Sequence, residues 1–276
     1  MRERIRIFTL LCALLLVAAA CGGGDGGDSG DGDGDGGEPV ELVWAIGGAE
    51  ANPGGAHHRT VELWNEANPD TPVRIETLPE SADEQRQQMA LELDAGGDGF
   101  DILGVDVIWT GEFAENGWLE SLEDVRGDLE GEILDGPFES GLWDGELWVA
   151  PYNSNAGFLY YRTDLVDTPP TTWEEAKQMA AEHDIDGYVG QGAKYEGFVV
   201  NYLEYFWGAG GELLGDGGEV QFGEGDAAQT ALEFMTESAQ DGFYAPGFNT
   251  MKEEEARNHF QAGNAVFMRN WPYAYD

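Results

Sequence analysis

Cysteine is nearly missing from this chain: Cys12 and Cys21 are its only two, both near the amino terminus. The body beyond them can build no disulfide framework and offers no thiol nucleophile. Basic residues are scarce too, with 13 Lys and Arg against 54 Asp and Glu and a formal net charge of −41. A phosphate backbone is held by Lys and Arg, so the balance speaks against nucleic acid as a partner and against docking on anionic lipid through a basic patch. Such acidity serves solubility through self-repulsion. The chain has 4 histidines. His57 and His58 are adjacent, about 100° apart on a helix and ill-placed as joint ligands. His183 and His259 stand alone and read as surface or hydrogen-bonded residues. No G-x-S-x-G elbow, Walker lysine motif or H-E-x-x-H pair occurs. Carboxylate pairs are inevitable among so many acids, so their presence identifies no glycosidase. No catalytic residue, metal site or cofactor follows from the sequence.

What is present is enough for a folded body. Hydrophobic residues make up 42% and aromatics 12% of 276 residues, enough for two domains or one large α/β unit. The chain opens with Arg2, Arg4 and Arg6, then an apolar run from Ile7 to Ala20 that is too short to span a bilayer comfortably. Ala18-Ala-Ala20 lead into Cys21. This start resembles a bacterial lipoprotein signal, although Ala18 stands where leucine is usual, and it implies Cys21 as the acylated first residue. An ordinary secretory signal shares the same charged and apolar regions and stays open. Gly22 to Gly37 is almost wholly Gly and Asp, an extended, self-repelling tether. Asp31 to Gly36 begins like an EF-hand loop, but Leu42 falls where a bidentate Glu is needed and no helix precedes it. No calcium site is expected.

The body alternates strands and helices. Val40 to Ile46 reads as a buried strand. His58 to Ala67 reads as a helix with Val61, Trp64 and Ala67 on its apolar face and Leu63 at the edge. Val73 to Leu78 alternates like a strand. A helix to about Leu93 is expected to start with a capping box between Ser81 and Glu84. A strand from Phe100 to Val105 hands over at Asp106 to a short helix, Glu112 to Asn116, with Asp106 and Trp109 at the carboxyl-end mouth where such sheets bind ligands. Leu147 to Ala150 is expected as a strand end. Pro151 breaks it, Asn153 to Gly157 form a polar elbow, and Phe158 to Tyr161 resume a strand. Helices follow from Thr171 or Thr172 to about Glu182, Glu196 to Trp207, Asp226 to Ala239 and Glu253 to Gln261. Short strands are expected at Gly187 to Gly190 and Asn264 to Met268, then an aromatic loop from Arg269 to Tyr275. Aromatic and polar groups at strand ends suit carbohydrate, whose apolar ring faces pack on Trp or Tyr. Its hydroxyls seek carboxylate, amide and guanidinium partners.

Six stretches in order carry a resemblance: Phe100 to Trp109, Gly117 to Leu122, Phe158 to Leu165, Pro170 to Glu175, Tyr195-Glu-Gly197 and Phe267 to Tyr273. Together they resemble extracellular solute-binding proteins of sugar ABC transporters, within them the trehalose/maltose-binding branch, over about residues 39–276. The resemblance implies an α/β, two-lobe periplasmic-binding-protein-like (type II) fold. Its expected parts are a signal peptide (1–20), an acylated cysteine and tether (21–38), an N-terminal lobe (39–152) and a partial C-terminal lobe (153–276). The residues from Val149 to Arg162 become the first crossing between lobes. The sugar site implied is Arg86, Asp106 and Asn155 for hydroxyls, Trp271 with Tyr273 for stacking, and Glu253; Asn155 stands where some relatives carry Asp. Near Glu50 a carboxylate of relatives is only loosely matched.

The function implied is that of a monomeric, lipid-anchored sugar-binding component on the extracellular face of the cytoplasmic membrane (periplasmic in a Gram-negative cell). It would deliver a disaccharide or oligosaccharide to membrane permease subunits, without enzymatic activity or cofactor. A secreted glycan-acting enzyme and a surface adhesion lipoprotein are the alternatives. Relatives continue past the Asn-Trp-Pro-Tyr loop, so the chain is expected to be a C-terminally truncated fragment. A missing returning strand would expose a sheet edge and apolar surface. Purified alone, it should therefore melt at low temperature, and a cooperative high-temperature transition would contradict this.

Overall fold

The first sheet is organised by its central strand. Leu42–Gly47 (β1) is a continuous apolar run, as a parallel strand covered on both faces requires. In this computed structural model, which describes residues 39–48, 50–215 and 217–275, β1 lies between Val73–Leu78 (β2) and Ile102–Leu103 (β3). Both neighbours run parallel to it, Leu42 opposite Val73 and Trp44 opposite Ile102. The signal segment, Cys21 and the Gly/Asp tether lie outside the described residues. Ala56–Ala67 (α1) and Ala82–Asp94 (α2) make the crossovers. Ala45, Leu78, Met89, Trp109 and Phe113 form the core beneath.

Several expectations are corrected here. The predicted apolar face of α1 is largely wet: Leu63 is 61% and Trp64 44% exposed. Instead α1 is held through its first turn and by polar stitches. His57 packs on Trp44 and Tyr152, the Trp64 Nε1 donates to the Thr71 carbonyl at 2.8 Å, and Asn65 bonds both backbone groups of Val73. Ser81 does precede α2, but its side chain is buried and makes no cap bond. The strand expected over Phe100 to Val105 is only β3, although Asp101 and Gly104 extend its backbone pairing with β1. Trp109 is not at the mouth. A 3-10 turn over Val107–Trp109, capped by Asp106, turns the indole inward against Phe113 and leaves Val107 and Ile108 outside.

Short elements follow: Thr110–Glu115 (α3), Arg126–Leu129 (α4) and Asp135–Ser140 (α5). Leu142–Trp143 (β4) and Glu146–Leu147 (β5) form a hairpin through Asp144-Gly145, with φ of 50° and 85°. Asp-Gly is the pair that tolerates such a turn. The strand end expected over Leu147 to Ala150 is therefore the close of a hairpin, since only Leu147 of that run is in a strand.

After residue 157 the chain builds a second sheet from Phe158–Tyr161 (β6), Asp186–Val189 (β7) and Ala265–Asn270 (β8), in the order β6-β8-β7. β6 is antiparallel and β7 parallel to β8. Trp173–Ala180 (α6) starts at Thr172, whose hydroxyl accepts from the Glu175 N–H at 3.1 Å. With Glu196–Gly208 (α7) and Ala227–Gln240 (α8), α6 covers one core cluster around Tyr188, Tyr205, Phe206 and Phe267. Glu253–Gln261 (α9) covers another, around Val189, Ala256 and Met268. Every residue of β8 is buried, so Arg269 and Asn270 belong to this strand and not to the expected loop. Pro272–Tyr275 is a 3-10 turn. At Gly187 a Cβ would come within 2.7 Å of the Phe243 carbonyl, so only glycine lets these segments close up. His259 is paired, its Nε2 lying 2.7 Å from Asp186. Residues 39–276 hold together as one unit.

Phe267 has no exposure, so Phe267→Ala should cost about 3–5 kcal/mol in urea unfolding. A loss below about 1 kcal/mol would show that β8 does not carry the second core.

Candidate functional site

Groups from both sheets meet between them. From the first come Glu50 just after β1, Asp83 and Arg86 on α2, and Asp106 at the carboxyl end of β3. From the second come Tyr195 and Glu196 at the start of α7, Glu253 at the start of α9, and Arg269 and Trp271 at the end of β8. Helices α2 and α7 approach each other across the two halves.

The electrostatics of this region are those of crowded acids. Glu196 is pushed up to about 7, first by burial and then by the charges of Asp106, Glu253 and Asp83, with Arg269 opposing. Asp106 is raised by burial, against the Ile108 N–H it accepts at 3.2 Å. Glu50 is exposed as a whole residue, yet its carboxyl end is enclosed enough that burial raises it, with the Asp106 charge adding to this. Burial, then the Glu253 charge, hold the Tyr195 hydroxyl protonated far above its usual range, and the Lys252 ammonium lies 5.5 Å from the centre of its ring.

Beside these acids stands one buried cation. Arg269 is 2% exposed; its Nη2 and Nε reach Glu204 Oε1 at 2.6 and 3.0 Å, and its Nη1 reaches Gln191 Oε1 at 3.0 Å. Asn201 donates to the same Gln191 oxygen at 3.0 Å. The Arg269 guanidinium carbon sits 3.8 Å from the Trp271 ring centre. Trp271 is further fixed by the Asn270 amide oxygen at 2.9 Å and by the Tyr160 hydroxyl, which donates to its carbonyl at 2.8 Å.

The crossing between the sheets is tied at both ends. Tyr152 shares a 2.9 Å hydrogen bond with the Thr60 hydroxyl on α1 and packs on Trp44 and His57. At the far end, a Cβ on Gly157 would lie 2.3 Å from Glu204 Oε1 and 2.6 Å from Arg269 Nη2. Asn153, Ser154, Asn155 and Ala156 run exposed between these ties.

Of the residues expected in the site, Asp106 and Glu253 act together on Glu196, and Trp271 shares Arg269 with them. Asn155 is exposed on the crossing. Arg86 is committed through Nε and Nη2 to both oxygens of Glu112. Tyr273 donates to Glu254 at 2.7 Å and lies under the Arg257 guanidinium, so its hydroxyl and one face are already engaged. Sequence reasoning missed Glu196 and Arg269 as site groups. Glu196 did stand in Tyr195-Glu-Gly197 at a helix start, but nothing local distinguished it from the other acids. Shallow grooves along α2 and α8 are lined by none of these groups. Among the described residues, no cluster of His, Cys, Asp and Glu could hold a metal ion, and no helix is long and apolar enough to cross a membrane.

Chemically, the cluster can accept hydrogen bonds from several hydroxyls and offer an indole for stacking. Its crowding also has a stability signature. The folded protein keeps a proton on Glu196 that the unfolded chain gives up, so this group's contribution falls as pH rises from about 4.5 to about 7 and is flat above. The melting temperature of Glu196→Gln minus that of wild type should therefore climb across this window and then level off. A difference independent of pH would contradict the crowding.

The model of the bacterial extracellular solute-binding protein family matches residues 47–276. A probable ABC transporter-binding protein of Deinococcus radiodurans is 32% identical over 223 residues, 74% of this chain and 51% of its own. Maltose-bound MalE3 of T. maritima shares 37% identity at a TM-score of 0.78, over 86% of this chain and 62% of its own. The maltotriose-binding protein of Thermus thermophilus, bound with maltotriose, is alike in fold, with 22% identity and a TM-score of 0.69. The chain thus spans about half the length of the Deinococcus relative and less than two thirds of these solved structures. Because the family model matches most of its length, the chain belongs to the bacterial extracellular solute-binding protein family.

Proposed function

We propose that this protein captures a maltose-type disaccharide outside the cell and passes it to the membrane permease of an ABC importer. The observation that carries the reading is the meeting of Asp106 and Glu253, from opposite sheets, on Glu196 beside Trp271. The 37% identity with a maltose-bound protein supports the choice of ligand. Trp271 stacks on a sugar ring with the face that Arg269 leaves free. Asp106, Glu196 and Glu253 accept from hydroxyls. Asn155 contributes an amide from the crossing, and Arg86 its Nη1 edge, which the Glu112 pair does not use. Tyr273 closes the side of the site against α9. Cys21 carries the lipid that keeps the protein at the outer face of the cytoplasmic membrane, and the Gly/Asp tether spaces the body from it.

One observation favours a second reading: a carboxyl near 7 beside other carboxylates is also what a glycosidase acid needs. Turnover of maltose or a longer oligosaccharide by the purified protein would favour it.

Calorimetry against maltose, trehalose and longer glucosides tests the leading reading. Covering ~100 Å² of sugar on an indole contributes ~2.5 kcal/mol, so Trp271→Ala should weaken binding roughly 50- to 100-fold. No heat with any sugar, or a Trp271→Ala variant that binds like wild type, would remove this site. Cys21→Ala should release the protein from membranes into the soluble fraction; continued membrane retention would argue against the lipid anchor.

A further inference from the structure

We propose that Arg269 is the positioning residue of this site, holding both the stacking face of Trp271 and the end of the crossing at Gly157. The proposal rests on the sugar-binding reading for its affinity measurements, but its geometry does not. A guanidinium is planar and can stack on an indole while its N–H edge is clamped elsewhere. Arg269 does both: its edge is held by Glu204 and Gln191, and its plane backs Trp271 at 3.8 Å. The Arg269 chain is buried and belongs to β8, so the indole is referred to the rigid sheet and not to the turn that follows it.

The same clamp receives the crossing. Gly157 approaches the pair so closely that a methyl group would overlap both Glu204 Oε1 and Arg269 Nη2. The backbone carrying Asn155 therefore ends on the group that backs Trp271. Phe158 is paired with Asn270 in the sheet, so a shift of Arg269 would move the stacking ring and loosen the close approach at Gly157 rather than free the chain. Arg269 has no need to touch the ligand to do this; Trp271 and Asn155 do so on its behalf.

A double-mutant cycle separates positioning from general stability. Arg269→Lys keeps the charge but loses both plane and fork, and should weaken maltose binding about 10- to 30-fold, the size of a desolvated cation–π contact. In a Trp271→Ala background the same change should cost less than about 3-fold, because the ring it positions is gone. Equal factors in both backgrounds would overturn the proposal. A sugar-free readout runs beside this one. The Trp271 contribution to fluorescence, taken as wild type minus Trp271→Phe, should become more accessible to acrylamide in Arg269→Lys. An unchanged contribution would overturn the backing of Trp271 by Arg269.

If wild type binds no disaccharide, the functional reading fails while the quenching result still decides this one. Where Arg269→Lys does not fold, Glu204→Gln serves, since Glu204 keeps 32% of its side chain exposed. It loosens one side of the clamp and should give the same coupling to Trp271 at smaller size. Gly157→Ala is the third arm and should also expose Trp271 to quencher. Wild-type quenching in both Glu204→Gln and Gly157→Ala would overturn the shared seat.

Discussion

A buried guanidinium sets the terms for the second half of this molecule. Taking such a charge out of water costs several kcal/mol unless its hydrogen-bonding edge is filled. Arg269 fills it with Glu204 and Gln191, and Gln191 is in turn held by Asn201 from α7. The polar chain continues from Asn201 to the Tyr188 hydroxyl, while Tyr244 and Tyr205 pair nearby. Removing one partner from such a network leaves an uncompensated charge, typically a loss of 3–5 kcal/mol, so its members are mutually dependent. The sheet strand, the middle of α7, the end of the crossing and the aromatic turn are thereby referred to a single point.

The acidic side of the site is governed by the opposite problem. Glu50, Asp106 and Glu196 are each held above their usual range, mainly by burial, and the charges of Asp106, Glu253 and Asp83 add to this at Glu196. Arg86 of α2 has two of its three guanidinium nitrogens engaged by Glu112. A neutral ligand rich in hydroxyls suits such a surface because it donates hydrogen bonds without demanding a counter-charge. The tied ends of the crossing add a mechanical feature. Between those ends the run from Asn153 to Ala156 is exposed and outside both sheets.

How much of this was legible depended on whether the signal was local. The strongly apolar α7 and the polar, acid-started α9 were readable almost to the residue, because periodicity and helix-end chemistry act within a few positions. The face of α1 was misread because Leu63 and Trp64 stay exposed; Trp64 found a loop carbonyl and His57 took the buried place. Trp109 was misplaced for a similar reason: one 3-10 turn reverses which side of the chain faces the core. The hairpin at Asp144-Gly145 was written in its turn residues and was overlooked, since strands of two residues carry no periodicity.

The sequence by itself determined the alternation of strands and helices, the excess of acids, the lack of usable cysteine in the body, and through six ordered stretches the family. These are properties of neighbouring residues or of composition, and they survive without knowing any distance. Tertiary structure alone decided which acids crowd Glu196 and which arginine is buried. It also decided how closely the backbone at residue 157 approaches the Glu204–Arg269 pair. Those outcomes bring together positions such as 106, 196 and 253, or 157, 204 and 269, that lie far apart in the chain. Charge, burial and close approach act through space, and only the folded chain fixes those distances.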